Sequence, residues 1–184
     1  MLTREIILTA LHLLSDRLQE KGVIGEINIL GGTAMMLAFQ ARQSTKDVDA
    51  IFAPVDVVQE AARLVAGELD LPVDWLNDAV EGFASERPRF QQVEGLDFPN
   101  LRVQTPVPEY LLAMKVMAAR VGFPGERGDG EDIAFLIKLL KLKNSEEVLN
   151  IVQEYYDPAK ILPRSVYLVD EIFEVRRNER AEGI

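Results

Sequence analysis

A glycine pair set between an apolar run and a run of helix formers is the tightest constraint in the sequence. Ile27-Asn28-Ile29-Leu30 reads as a short strand that Gly31-Gly32 stops. Thr33-Ala34-Met35-Met36-Leu37-Ala38-Phe39 then reads as a helix. The pair therefore carries a sharp strand-to-helix turn, which residues without a Cβ make cheaply and which lets a ligand approach the backbone. The helix opening near Thr33 offers unpaired N–H groups and the positive end of its dipole to an anion. The Thr33 hydroxyl can add one hydrogen bond, so Gly31, Gly32 and Thr33 read as a phosphate-binding turn. It is no Walker A loop, for no Gly-Lys-Ser/Thr follows, and it lacks the third glycine of a dinucleotide fingerprint.

The next segment supplies carboxylates. In Lys46-Asp47-Val48-Asp49-Ala50-Ile51-Phe52, the apolar Val48, Ala50 and Phe52 alternate with Asp47 and Asp49, which predicts a half-buried strand with both acids on one face. Two such Cβ atoms lie roughly 6.5 Å apart and repel unless a cation sits between them. A hard divalent ion such as Mg²⁺ takes oxygen ligands and is held by one or two carboxylates plus substrate phosphates. Leu71-Pro72-Val73-Asp74-Trp75-Leu76 reads as a further short strand, with Pro72 near its start or at an edge. Asp74, between Val73 and Trp75, is the natural third metal-site carboxylate. An isolated carboxyl among apolar neighbours holds its proton more tightly, which suits a general base acting on a hydroxyl nucleophile.

The rest of the chain frames these residues. Thr3 is placed to cap a helix over 3–21, whose apolar residues fall at helical spacing, and Gly22 ends it. Residues 56–69 return to helical spacing, and 93–105 read as paired extended segments with a turn around Asp97-Phe98-Pro99-Asn100. Beyond Pro108 only helices are predicted, at 108–121, 130–142, 145–156 and 164–179. The expectation is an α+β fold: residues 1–106 as a small mixed sheet flanked by helices, then 107–184 as a helical bundle packing against it. His12 reads as structural or exposed, and Trp75 as a core aromatic beside the site.

Composition narrows the function. With 20 Lys+Arg against 30 Asp+Glu, the net charge of −10 excludes a bulk basic field for coating nucleic acid. Any such partner needs a restricted basic surface, around Arg87, Arg89 and Arg102 or the C-terminal arginines. The absence of cysteine and the single histidine exclude disulfides, thiolate and multi-His metal sites and Cys nucleophiles. No run approaches the length of a membrane span, and the chain reads as soluble and cytoplasmic.

Taken in order, Leu30-Gly31-Gly32-Thr33-Ala34, Thr45-Lys46-Asp47-Val48-Asp49 and Val73-Asp74-Trp75 resemble the motifs of the polymerase-β-type nucleotidyltransferase superfamily. Leu111-Leu112-Ala113-Met114-Lys115, Ala119-Arg120 and the glycine-rich run into Asp129-Gly130-Glu131-Asp132-Ile133 are similar to the third and fourth motifs of the abortive-infection (AbiEii-type) nucleotidyltransferase toxins of type IV toxin–antitoxin systems. The resemblance implies that Asp47 and Asp49 hold two Mg²⁺ ions and that Asp74 completes the carboxylate set. It further implies that Gly32, Thr33 and Lys115 contact the triphosphate of an NTP, and that Asp129 or its neighbour Asp132 fills the fourth-motif role. The implied activity moves a nucleotide onto a hydroxyl of a tRNA 3′ end or a protein, as a toxin or phage-defence enzyme with a cognate antitoxin. Small-molecule nucleotidylation and a non-catalytic nucleotide-binding module are the alternatives.

Overall fold

The first helix begins where its cap stands. In a computed structural model, which describes residues 1–78, 84–119 and 129–181, the Thr3 hydroxyl accepts the Ile6 N–H, and α1 runs Arg4–Glu20. Gly22 follows in the left-handed region, at φ +65°, and ends it. Of the described residues, 1–78 and 90–106 belong to one compact unit, and 84–89 and 107–181 to a second.

The first unit holds a mixed five-stranded sheet. β2 (Gly25–Ile29) pairs antiparallel with β4 (Val48–Ala53) and parallel with β7 (Leu101–Pro106); β6 (Phe90–Gln92) borders β7 antiparallel, and β5 (Leu76–Asn77) borders β4 parallel. The order is β5-β4-β2-β7-β6. Period-two patterning divides the faces as the sequence predicts. Ile27, Ile29, Val48, Ala50, Phe52, Leu101 and Val103 are buried in one core with Leu11, Leu14 and Leu18 of α1 and Val58, Ala61 and Val65 of α3 (Val55–Leu69). Burying each large side chain contributes about 1.5–3 kcal/mol, which is what fixes the register of these strands. Asn28, Asp49, Ile51 and Gln104 alternate onto the other face. A separate two-stranded ribbon, β1 (Leu2–Thr3) with β3 (Ser44–Thr45), ties the start of the chain to the segment before Asp47.

Two expectations need correcting. The segment Leu71–Leu76 is not a strand: the Trp75 N–H closes a turn on the Pro72 carbonyl at 3.0 Å, and β5 starts only at Leu76. Proline's missing donor keeps Pro72 out of a ladder. The hairpin predicted over 93–105 forms instead between Phe90–Gln92 and Leu101–Pro106, because the residues between them make the connection, with Gly95 at φ +78°.

The second unit is helical. It comprises α4 (Pro108–Ala118), α5 (Asp129–Leu139), α6 (Ser145–Tyr155), a 3₁₀ turn at Pro158–Lys160 and α7 (Pro163–Ala181). α4 packs on α5 and α6, so Tyr110 through Val116 are all buried. The Asn144 side chain caps α6 by accepting the Glu147 N–H at 2.9 Å. Ser85 donates its N–H to the Tyr110 hydroxyl at 3.0 Å and its own hydroxyl to the Tyr155 carbonyl, which ties residues 84–89 to this unit. Arg120 and most of the glycine-rich run lie outside the described residues. No helix among the described residues is long and apolar enough to cross a membrane.

Candidate active site

The glycine pair opens α2 (Gly31–Phe39). Gly31 sits at φ +58°, where an L side chain is strained, and a Cβ there would stand 2.9 Å from Oδ2 of Asp49. Glycine is thus required twice, once by the backbone and once by the carboxylate against it. A Cβ on Gly32 would lie 3.3 Å from the Thr45 hydroxyl oxygen and 3.4 Å from Nη1 of Arg42. The turn is therefore lined by a carboxylate, a hydroxyl and a guanidinium. The Leu30 N–H donates to the Asp49 carbonyl at 2.8 Å, which locks the turn to β4. No side chain caps α2, so its first amides keep the anion-binding geometry of a helix N-terminus.

Asp47 immediately precedes β4, and the chain holds it from within. The buried Thr33 hydroxyl donates to the Asp47 carbonyl at 2.9 Å, and the Thr45 hydroxyl donates to the same oxygen at 3.2 Å. A hydroxyl has one proton to donate. Thr33, expected to meet the triphosphate, gives that proton to the backbone and so positions Asp47. Asp47 and Asp49 are half-buried on either side of fully buried Val48.

Asp74 lies on the exposed turn before β5, beside Val73, which is 69% exposed, and Trp75, which is buried with its indole N–H on the Ala62 carbonyl at 3.0 Å. Among the described residues no apolar enclosure forms around its carboxyl, for Val73 stands in solvent while Trp75 is buried. The register instead aligns Asn77 with Asp49. Among the described residues no group of three His, Cys, Asp or Glu side chains is arranged to hold a metal ion. His12 is exposed and packs edge-on against Phe98, with centroids 4.7 Å apart.

In the helical unit, Lys115, Asp129 and Asp132 do converge. The Lys115 ammonium lies 3.3 Å from Oδ1 of Asp129 and 2.8 Å from Oδ2 of Asp132. Both acids occupy the first turn of α5, where its dipole favours negative charge. Lys115 was expected to offer its charge to a phosphate; within its own unit it meets two carboxylates.

Residues 6–167 match the model of a family described as nucleotidyltransferase of unknown function (DUF6036). The chain belongs to this family. No curated protein and no solved structure matches it. In this nucleotidyltransferase, Gly31, Gly32, Asp49 and Thr45 meet in the first unit, and Thr33 and Thr45 tie the main chain of Asp47 to them. Lys115, Asp129 and Asp132 form a second cluster in the other. Two neighbours of the first cluster escaped the sequence reading. Arg42 lies in a polar connection with no periodic signal, and Asn77 lies one residue past the segment read as a strand.

Proposed function

We propose that this nucleotidyltransferase moves the nucleoside monophosphate of an NTP onto a hydroxyl acceptor. The acceptor oxygen bonds to the α-phosphorus, the bond from that phosphorus to the bridging β-oxygen breaks, pyrophosphate leaves, and the hydroxyl proton passes to a base. The observation that carries this reading is the 2.9 Å approach of the Asp49 carboxylate to the vacant Cβ position of Gly31, which sets an anion-binding turn against a carboxylate strand. Phosphate and carboxylate share such a space only with a cation between them. Carboxylates at Asp47 and Asp49, two residues apart around buried Val48, suit Mg²⁺, which takes one or two carboxylates and completes its shell with phosphate oxygens. Bound there, the metal would neutralise the charge that develops on the leaving pyrophosphate. Gly31 and Gly32 admit the phosphates, the α2 amides and the Arg42 guanidinium attract them, and Thr33 and Thr45 fix Asp47. The resemblance to abortive-infection toxins extends the reading to an RNA or protein acceptor and to restraint by an antitoxin.

The test is transfer of label from α-³²P-NTP to RNA and protein with Mg²⁺ present. Wild type should label an acceptor, and Asp49→Asn should not. Equal labelling by the variant would overturn the assignment.

A further inference from the structure

Five cations of the helical unit gather in one cleft. It has a volume of about 520 Å³ and is lined by Lys138, Lys141 and Lys143 at the end of α5 and by Phe173, Arg176 and Arg177 of α7. On a chain with 20 basic and 30 acidic side chains, five cations in one place repel one another unless an anion joins them. The 4.0 Å contact of Arg177 with exposed Glu174 is the only ion pair that any of the five makes among the described residues.

Two further features concentrate there. Lys141 stands at φ +57°, in the conformation that glycine ordinarily supplies after a helix, while the Leu142 N–H closes the helix on the Ile137 carbonyl at 3.0 Å. Arg176 holds its guanidinium carbon 5.8 Å from the Phe173 ring centroid, and its buried Nη1 has no hydrogen-bond partner among the described residues. The dipole of α5 accounts for a lysine at position 138. It does not account for a buried guanidinium nitrogen left without an acceptor among the described residues.

We propose that this cleft binds the phosphate backbone of a single-stranded polynucleotide, with a base laid against the Phe173–Arg176 pair. Lysines act as point charges toward phosphates, and an aromatic with a guanidinium offers a stacking platform that an acidic peptide does not use. The inference rests on the transfer reading above and names the class of its acceptor. Of the two basic surfaces expected from the sequence it takes up the C-terminal one, where Lys138 of α5 and Lys141 and Lys143 beyond it join Arg176 and Arg177, whereas Arg102 of the other is engaged with Glu26 at 2.9 Å.

Fluorescence anisotropy with a short labelled RNA, and separately its DNA counterpart, tests this without NTP or Mg²⁺. Log Kd should rise with log salt at a slope of about 3.5 if five cations meet phosphates, and Lys138→Gln/Lys143→Gln should lower the slope by about 1.4. Lys141→Gly should weaken binding while raising the Tm, which separates lost contact from lost folding. Asp49→Asn should bind as wild type does. RNA favoured over DNA, or both bound alike, supports the proposal and identifies the strand. No binding, an unchanged slope in the double variant, or equal competition by polyglutamate overturns it. Transfer activity without oligonucleotide binding would overturn the cleft alone, and binding without transfer the reaction alone.

Discussion

The ammonium of Lys115 lies 2.8 Å from Oδ2 of Asp132, and the two side chains are only 11% and 4% exposed. A charge pair this withdrawn from water is costly to break, because removing one partner strands the other in a low-dielectric surrounding. Lys115→Met should therefore cost about 3–5 kcal/mol in urea unfolding. Adding Asp132→Leu should restore much of that loss. A double variant as unstable as the sum of the singles would show that the two residues do not act as a pair.

The two glycines with the most contrasting surroundings should answer oppositely to alanine. Gly31→Ala meets both a left-handed backbone, at about 1–2 kcal/mol, and the Asp49 carboxylate, so stability and NTP binding should fall together. Gly67, inside α3 with nothing within 4 Å of a Cβ, should gain about 0.5–1 kcal/mol. Thermal melts of the two variants give the comparison directly.

Thr33 acts through its hydroxyl proton. Thr33→Ser keeps the donor and should retain nucleotide transfer. Thr33→Val loses it, at about 0.5–1.5 kcal/mol of stability, and should lower transfer more than it weakens NTP binding, since the hydroxyl positions Asp47. A valine variant of unchanged turnover would remove that role.

Asp74 and Asp49 are expected to differ. Asp49→Asn should abolish Mg²⁺-dependent NTP binding, read by calorimetry. Asp74→Asn, altering an exposed turn, should leave that binding intact. A transfer rate that falls in Asp74→Asn with binding unchanged would mark it as the proton acceptor.

Alkaline pH should expose the tyrosine cluster. Burial, reinforced by neighbouring Tyr110, pushes the Tyr156 phenol well above its ordinary range, and burial moves Tyr155 the same way. A raised folded pKa stabilises the fold fully below the unfolded value near ~10 and loses that contribution as pH climbs through the folded value. Stability should therefore decline above that point, and less steeply in Tyr156→Phe. Phenolate absorbance in which all four tyrosines ionise together in the ordinary range would contradict this.

What the sequence discloses follows the range of the forces involved. The Thr3 cap, the alternation around Asp47 and Asp49, and the helices beyond Pro108 are set within a few residues, and they read correctly. Asn77 beside Asp49 depends on the register of a two-residue edge strand, which no local propensity encodes. Arg42 reaches the glycine turn from an aperiodic connection. The union of Lys115 with both Asp129 and Asp132 needs helix packing, so the spacing alone left a choice between the two acids.

The main-chain oxygen of Asp47 receives two hydroxyl protons, from Thr33 and Thr45. Ordering a backbone residue costs about 1–2 kcal/mol, and here the fold settles that cost before any nucleotide arrives. Association should accordingly be a single fast phase in stopped-flow traces, without a slow isomerisation of the carboxylate strand.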